Sequence, residues 1–292
     1  MAGTESPNRP RDRDRIRRPL NVVLRPGSPA EAAFRTGALE PGFAPAPSLD
    51  LQYLGGRTLP QLTFRLVYLG RFAAAERRSL DAILPAALGD PGLNDVLAQY
   101  FPGKTIGSSF IGSTVRAGPV PKLVDKPAVE ALVRDLEPDQ DAVTCLLLPR
   151  GVVLADGDVT SEHGLGGYHG SVHVSGGTHY YAVAVYSEGS NGIVAFDEPW
   201  KNICATLYHE LQEVRTDPDV EDAIRAGTSP TAVHFLGWYS PDGGEIGDIP
   251  IAESHGDLGL VLKEVPLAGG GTAPVQLLWS NRVDGPEGPA TS

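Results

Sequence analysis

A histidine and a glutamate stand four residues apart in Tyr208-His209-Glu210-Leu211-Gln212-Glu213-Val214-Arg215-Thr216-Asp217-Pro218. On a helix that spacing puts His209 and Glu213 on one face, where an imidazole nitrogen and a carboxylate oxygen can grip one cation. Glu210 lies one residue round the helix, placed to take a proton from water held by such an ion. Zinc accepts a carboxylate in place of an imidazole, although the more anionic set also suits harder metals and acidifies bound water less. Two side chains do not complete a metal site. The candidates for a third ligand are Glu245 and Asp248, in the glycine-flanked acidic turn Gly243-Gly244-Glu245-Ile246-Gly247-Asp248, together with Asp217 and His169. Asp217 follows Glu213 by four residues, and a straight helix would carry it about 12 Å from His209, so it can serve only if the helix ends early. The plain alternative is an exposed helix face with Glu213 solvated, since surface helices are rich in glutamate.

Other polar residues carry less chemistry. His163, His169, His173 and His179 crowd a Gly-rich stretch, but spacings of six, four and six do not converge on one ion and suit partly exposed loop histidines. Tyr239, in Gly237-Trp238-Tyr239, reads either as core packing or as a donor to a developing oxyanion. Cys145 lies in an apolar run as a small buried hydrophobe, and Cys204 opens the motif helix without a His/Asn pattern that would make it a nucleophile. Two cysteines allow at most one bridge, so disulfides do not define the fold. The glycine runs near 164–167 and 269–271 lack the lysine or acidic residue of a phosphate-binding loop.

The elements that must position these residues follow from periodicity. Leu62–Tyr68 alternates as a strand, and Phe72–Leu88 is helically spaced despite Pro85. Leu93–Tyr100 reads as a short helix, Ser109–Arg116 as a strand, and Pro127–Leu136 as a helix opened by proline. Strands are expected at Val143–Leu148, Gly167–Val174 and Thr178–Tyr186, then a helix at Asn202–Thr216 that stops before Pro218. A last strand at Val275–Trp279 follows a Gly-rich loop region. The expectation is an α/β fold in three parts: a tail over 1–50, one domain over 51–283 whose C-terminal subdomain begins near 217, and a second tail over 284–292. The 292 residues, 41% hydrophobic and 21% charged with 35 Gly and 26 Pro, suit a globular chain and exclude coiled-coil, collagen-like or wholly disordered classes. A net charge of −12 argues against nucleic acid as a partner; six arginines between positions 9 and 18 could make residues 1–20 a basic arm, but alternating Arg-Asp in a Pro-rich context reads rather as a solvated, disordered tail. No apolar run reaches the roughly 18 residues that span a bilayer, and no secretory signal opens the chain. A cytoplasmic protein acting away from membranes is expected.

The order of elements resembles the catalytic half of the zincin metallopeptidases, a twisted mixed sheet with one antiparallel edge strand over an active-site helix. The motif is similar to their H-E-x-x-H, with Glu213 for the second histidine. Gly167–Val174 would then be the edge strand. More specifically, the motif helix with Thr216-Asp217-Pro218, Gly237-Trp238-Tyr239, Gly243-Gly244-Glu245-Ile246-Gly247-Asp248 and Val275-Gln276-Leu277-Leu278-Trp279-Ser280-Asn281 resembles the bacterial branch of the phosphate-induced, EXORDIUM-like proteins. Gly167-Tyr168-His169 and Leu66-Val67-Tyr68-Leu69-Gly70 fit the same pattern, so the resemblance covers about residues 51–283. Tyr208 and Val214 depart from the family's S-H-E-[LI]-x-E-A-x-T-D-P, and Ile249 stands where its members carry a cysteine. The resemblance implies a shared fold and site rather than a defined reaction.

The expected function is a zinc-dependent, metallopeptidase-like hydrolase. His209 and Glu213 would hold the ion with Glu245, Asp248 or Asp217, Glu210 would be the general base, and Tyr239 would assist. A peptide or protein substrate would lie along the edge strand near His169. The rival is a non-catalytic binding or signalling module with a structural metal, for which the carboxylates suit calcium. A cytosolic protease working on a precursor peptide, or delivered as a toxin, is a further alternative.

Overall fold

The chain, described here from a computed structural model over residues 38–136 and 142–289, is α/β with mixed sheets. The Arg-rich segment 9–18 lies outside the described residues. In order the elements are β1 (Gln52–Tyr53), β2 (Gln61–Leu69), α1 (Ala74–Gly89), α2 (Pro91–Ala98), β3 (Gly107–Arg116), β4 (Leu123–Asp125) and α3 (Lys126–Asp135). Then come β5 (Val143–Leu147), β6 (Val153–Asp156), β7 (Val159–Thr160), β8 (Gly167–Val174), β9 (Gly177–Ala184), α4 (Pro199–Thr216) and α5 (Val220–Ala226). The chain ends with β10 (Trp238–Tyr239), α6 (Asp248–Glu253), β11 (Leu262–Pro266), β12 (Thr272–Gln276), β13 (Leu278–Ser280) and β14 (Gly285–Glu287).

The main sheet has the order β3-β2-β5-β9-β8, parallel except for β8, which pairs antiparallel with β9 at one edge. Its inner strands β2, β5 and β9 are mostly buried on both faces because helices cover both, while β3, at the other edge, is largely exposed. Leu66, Tyr68, Cys145, Leu147, Ala182 and Ala184 point to a core shared with α1, α2 and α4. Their alternates Val67, Leu69, Leu146, Leu148, Tyr181 and Val183 pack on Val129 and Val133 of α3.

Helix α4 carries the motif, and 14 of its 18 residues are buried, so it is an internal helix under β8 and β9 rather than the exposed face of the plain alternative. Pro199 stands at its start, and Asp217 leaves the helical region because Pro218 follows. Near its end the wholly buried Arg215 donates to the carbonyls of Pro60 (2.7 Å), Gly107 (2.9 Å) and Leu88 (3.3 Å). That fork ties α4 to the ends of β2, β3 and α1. The break between α1 and α2 is made by Asp90, which precedes Pro91 and caps α2 by accepting from the amides of Gly92 and Leu93.

The expected limits of the domain are too narrow. Leu39 bridges Glu287, the amide of Glu40 donates to Pro286 and that of Ala46 to Asp284, so residues 38–50 and 284–287 belong to the fold. The expected strand at Val275–Trp279 is two strands that break at Leu277, whose amide donates to Val261 instead. The region read as Gly-rich loop contains α5, α6 and β11. Among the described residues, no helix is long and apolar enough to cross a membrane.

Candidate metal centre

Glu213 is the hub. Its carboxylate is buried, and Oε1 accepts from the amides of Gly247 (3.1 Å) and Asp248 (3.2 Å), where the acidic turn folds back onto α4. That leaves Oε2 facing inward, 3.1 Å from His209 Nε2 and 3.5 Å from His169 Nδ1. The turn can come so close only because residue 247 has no side chain. A Cβ there would lie 2.5 Å from His209 Nδ1 and 2.9 Å from Glu213 Oε1.

Each imidazole has its outer nitrogen engaged. Gln276 of β12 donates its amide to the carbonyl of Gly247, and its Oε1 accepts from His209 Nδ1 at 2.7 Å. His209 Nε2 is therefore the inward nitrogen, with Asp248 Oδ1 at 3.6 Å and Glu210 Oε1 at 3.9 Å. His169, on β8, donates from Nε2 to the carbonyl of Asp217 (3.2 Å) and turns Nδ1 toward Glu210 Oε2 at 3.4 Å. Nitrogen lone pairs and carboxylate oxygens thus face one another, an arrangement that needs a proton or a metal ion between them. The pKa directions agree. Burial alone would lower both imidazoles, yet Glu245 beside His169 and Glu213 beside His209 raise each well above its ordinary value. Burial would raise Glu213, but the two imidazoles outweigh it and hold the carboxyl down at about 2. Glu245 is pushed well up by burial.

The donor atoms form two groups, each within 4.8 Å: His209, Glu213 and Asp248, and His169, Glu213 and Glu245. No lysine or arginine pairs with any of these carboxylates among the described residues. The centre opens on a cleft of about 330 Å³ lined by Gly166 and Gly167 at the start of β8, Thr206, Ile193, Ile251 and Leu262. A Cβ at Gly167 would sit 2.8 Å from Thr206 Cγ2 and 3.3 Å from Glu210 Oε1. Lys126 also lines the cleft, but is taken by Glu221 (2.7 Å) and Asp156 (3.1 Å).

His209, Glu210, Glu213, Glu245 and Asp248 therefore come together as the motif and the acidic turn suggest. The other three expected residues are placed as follows. Asp217 lies in neither donor group, and its buried Oδ1 accepts from the Gly237 amide. His169, on the edge strand, lines the cleft and is buried among the candidate ligands, because β8 turns it toward α4. Tyr239 pairs with Gln52 in the β1–β10 ladder and does not line the cleft; burial and the charges of Glu245 and Asp248 raise its hydroxyl. Of the clustered histidines, His179 is buried as well, while His173 pairs with Asp222 at 2.7 Å and His163 with Thr160. Both cysteines are free and buried, and burial pushes both thiols up. Gln276 escaped the sequence reading because its partner His209 is 67 residues away. The glycine at 247, beside the two acids, was the readable sign of a close backbone approach.

Comparison of the chain with family models, with curated proteins and with solved structures found no match.

Proposed function

We propose that this chain is a metal-dependent hydrolase, with zinc the ion that its mixed imidazole and carboxylate set suits, acting on an extended peptide. The observation that carries the proposal is the meeting of His209 Nε2 and Glu213 Oε2 at 3.1 Å, with Asp248 Oδ1 at 3.6 Å from the same nitrogen. Zinc bonds of about 2.0–2.2 Å in a tetrahedron set ligand atoms about 3.3–3.6 Å apart, close to these spacings. Gln276 selects the tautomer of His209 that offers Nε2, which is how outer-shell acceptors orient metal-bound imidazoles.

When bound, the ion would polarise water and the scissile carbonyl. Glu210 lies outside both donor groups, with one oxygen toward each imidazole. It is the base that takes the water proton and returns it to the leaving amine. The antiparallel edge strand over α4 supports the zincin-like reading and the peptide as substrate. Arg225 donates to the carbonyl of Ser171 and so covers part of that edge, which leaves the start of β8, at Gly166 and Gly167, as the part beside the cleft. Glu210→Gln tests the mechanism. The variant should keep its metal and lose at least about 100-fold in cleavage of a peptide library; equal activity would remove Glu210 from the reaction.

A second reading, a non-catalytic module built round a structural ion, draws on the complete burial of the group His169, Glu213 and Glu245. Structural sites are closed in this way, whereas the exposed Asp248 leaves the other group open. Calcium suits either group poorly, because imidazole nitrogens occupy ligand positions.

A further inference from the structure

The structure assigns a second metal position to this centre: His169, Glu213 and Glu245 hold a divalent transition-metal ion of their own, beside the one at His209, Glu213 and Asp248, with Glu213 shared. The inference rests on the reading of the centre as a metal site and adds a buried ion to the open one.

The first observation is that one ion does not use both imidazoles as they stand. Glu213 Oε2 is 3.1 Å from one ring and 3.5 Å from the other, yet the two rings fall into separate donor groups. Each ring is also equipped as a ligand in its own right. His209 has Gln276 behind its outer nitrogen, and His169 has the carbonyl of Asp217 behind its own, so both inward nitrogens are fixed as lone-pair donors.

The second observation is Glu245. The residue is 8% exposed, its Oε1 has no hydrogen-bond partner, and the nearest charge is the His169 ring, whose Nε2 lies 3.5 Å away. A buried, unpartnered carboxylate oxygen is costly in a protein interior unless a cation meets it. No lysine or arginine among the described residues does so. An ion between Glu245, Glu213 and His169 satisfies all three at once, and it pins the acidic turn and the edge strand β8 to α4. Soft imidazole with two hard carboxylates suits Zn²⁺, Mn²⁺ or Co²⁺.

Titration of the metal-free full chain with Co²⁺, followed by its visible absorption and by metal analysis after desalting, reads the stoichiometry without any mutation. Two equivalents per chain are expected. Glu245→Gln should then bind one, and Asp248→Asn should bind one at the other position. A single equivalent in the wild-type chain that persists in Glu245→Gln would overturn the second position while leaving the open site intact. A single equivalent lost in Glu245→Gln and kept in Asp248→Asn would also overturn it, by making the buried group the sole site. Zero equivalents would overturn the metal centre itself.

Discussion

The inward nitrogens of His169 and His209 face carboxylates at distances that leave room for something positive. In the metal-free protein a proton takes that place on each ring. Glu245, Glu210 and Glu213 therefore raise both imidazoles, which contribute stability in full below their unfolded value and lose it as pH rises through their raised folded values. A bound ion supplies the same charge without a proton and must displace the protons to enter. The stabilisation given by metal, the difference in Tm between loaded and chelator-treated protein, should therefore grow from pH 6 to pH 8.5. Differential scanning calorimetry at several pH values checks this; a difference that shrinks as pH rises would contradict it. At this scale the sequence was informative where spacing alone decides, at His209, Glu210 and Glu213, and mute where partners come from elsewhere. Nothing near Gln276 says that its amide will stand behind His209, and nothing near His169 says that β8 will turn that ring onto α4.

Helix α4 must hold those side chains to within a fraction of an ångström, and its own end is held by Arg215. Burial lowers that guanidinium to about 10, still charged at neutral pH, and three carbonyls from different segments receive its protons. Arg215→Ala would leave these carbonyls buried without donors and open a cavity, at a cost of about 3–5 kcal/mol, comparable to removing one partner from a buried ionic network. Urea denaturation of the metal-free protein measures it, and Arg215→Lys should recover only part of the loss because an ammonium cannot reproduce the planar fork. A cost below about 1 kcal/mol would show that packing alone positions the helix. The helix was legible because Asp217-Pro218 stops it, and the strands because Leu62–Tyr68 alternates, Val143–Leu148 is a continuous apolar run and Thr178–Tyr186 is rich in Tyr and Val. Helix α6 and the β11–β12 hairpin were not, since short elements among glycines acquire their shape from the surface they pack on. Pro266, within β11, and Pro274, within β12, further obscured the hairpin.

For the molecule as a whole, the ends of the described chain are part of the fold. Asp50 illustrates this: the indole of Trp279 donates to its Oδ1, yet burial outweighs that bond and lifts the carboxyl to about 6. An acid raised in the folded state keeps its proton there longer than in the unfolded chain. It therefore costs stability progressively as pH rises from about 4 through 6. Asp50→Asn keeps an acceptor for Trp279 and removes the charge, so the variant should gain in Tm over the wild type between pH 4.5 and 7. A gain that is the same at both ends of that range would show that burial of the charge is not the cause. The junction of residues 38–50 with β14 was invisible in the sequence because Pro- and Gly-rich stretches read as tails whether or not something pairs with them. Composition spoke for a globular chain, and periodicity gave the α/β class. The order β3-β2-β5-β9-β8 depends on crossovers that no local pattern encodes.

The central claim is that His209 and Glu213, one helical turn apart, hold an ion beside Glu210. Diffraction from crystals of the zinc-loaded protein, with anomalous differences collected on both sides of the zinc edge, tests it directly. An anomalous peak within bonding distance of His209 Nε2, Glu213 Oε2 and Asp248 Oδ1 is expected. Loaded crystals with no peak there, and with His209 and Glu213 joined to each other by a direct hydrogen bond, would contradict it.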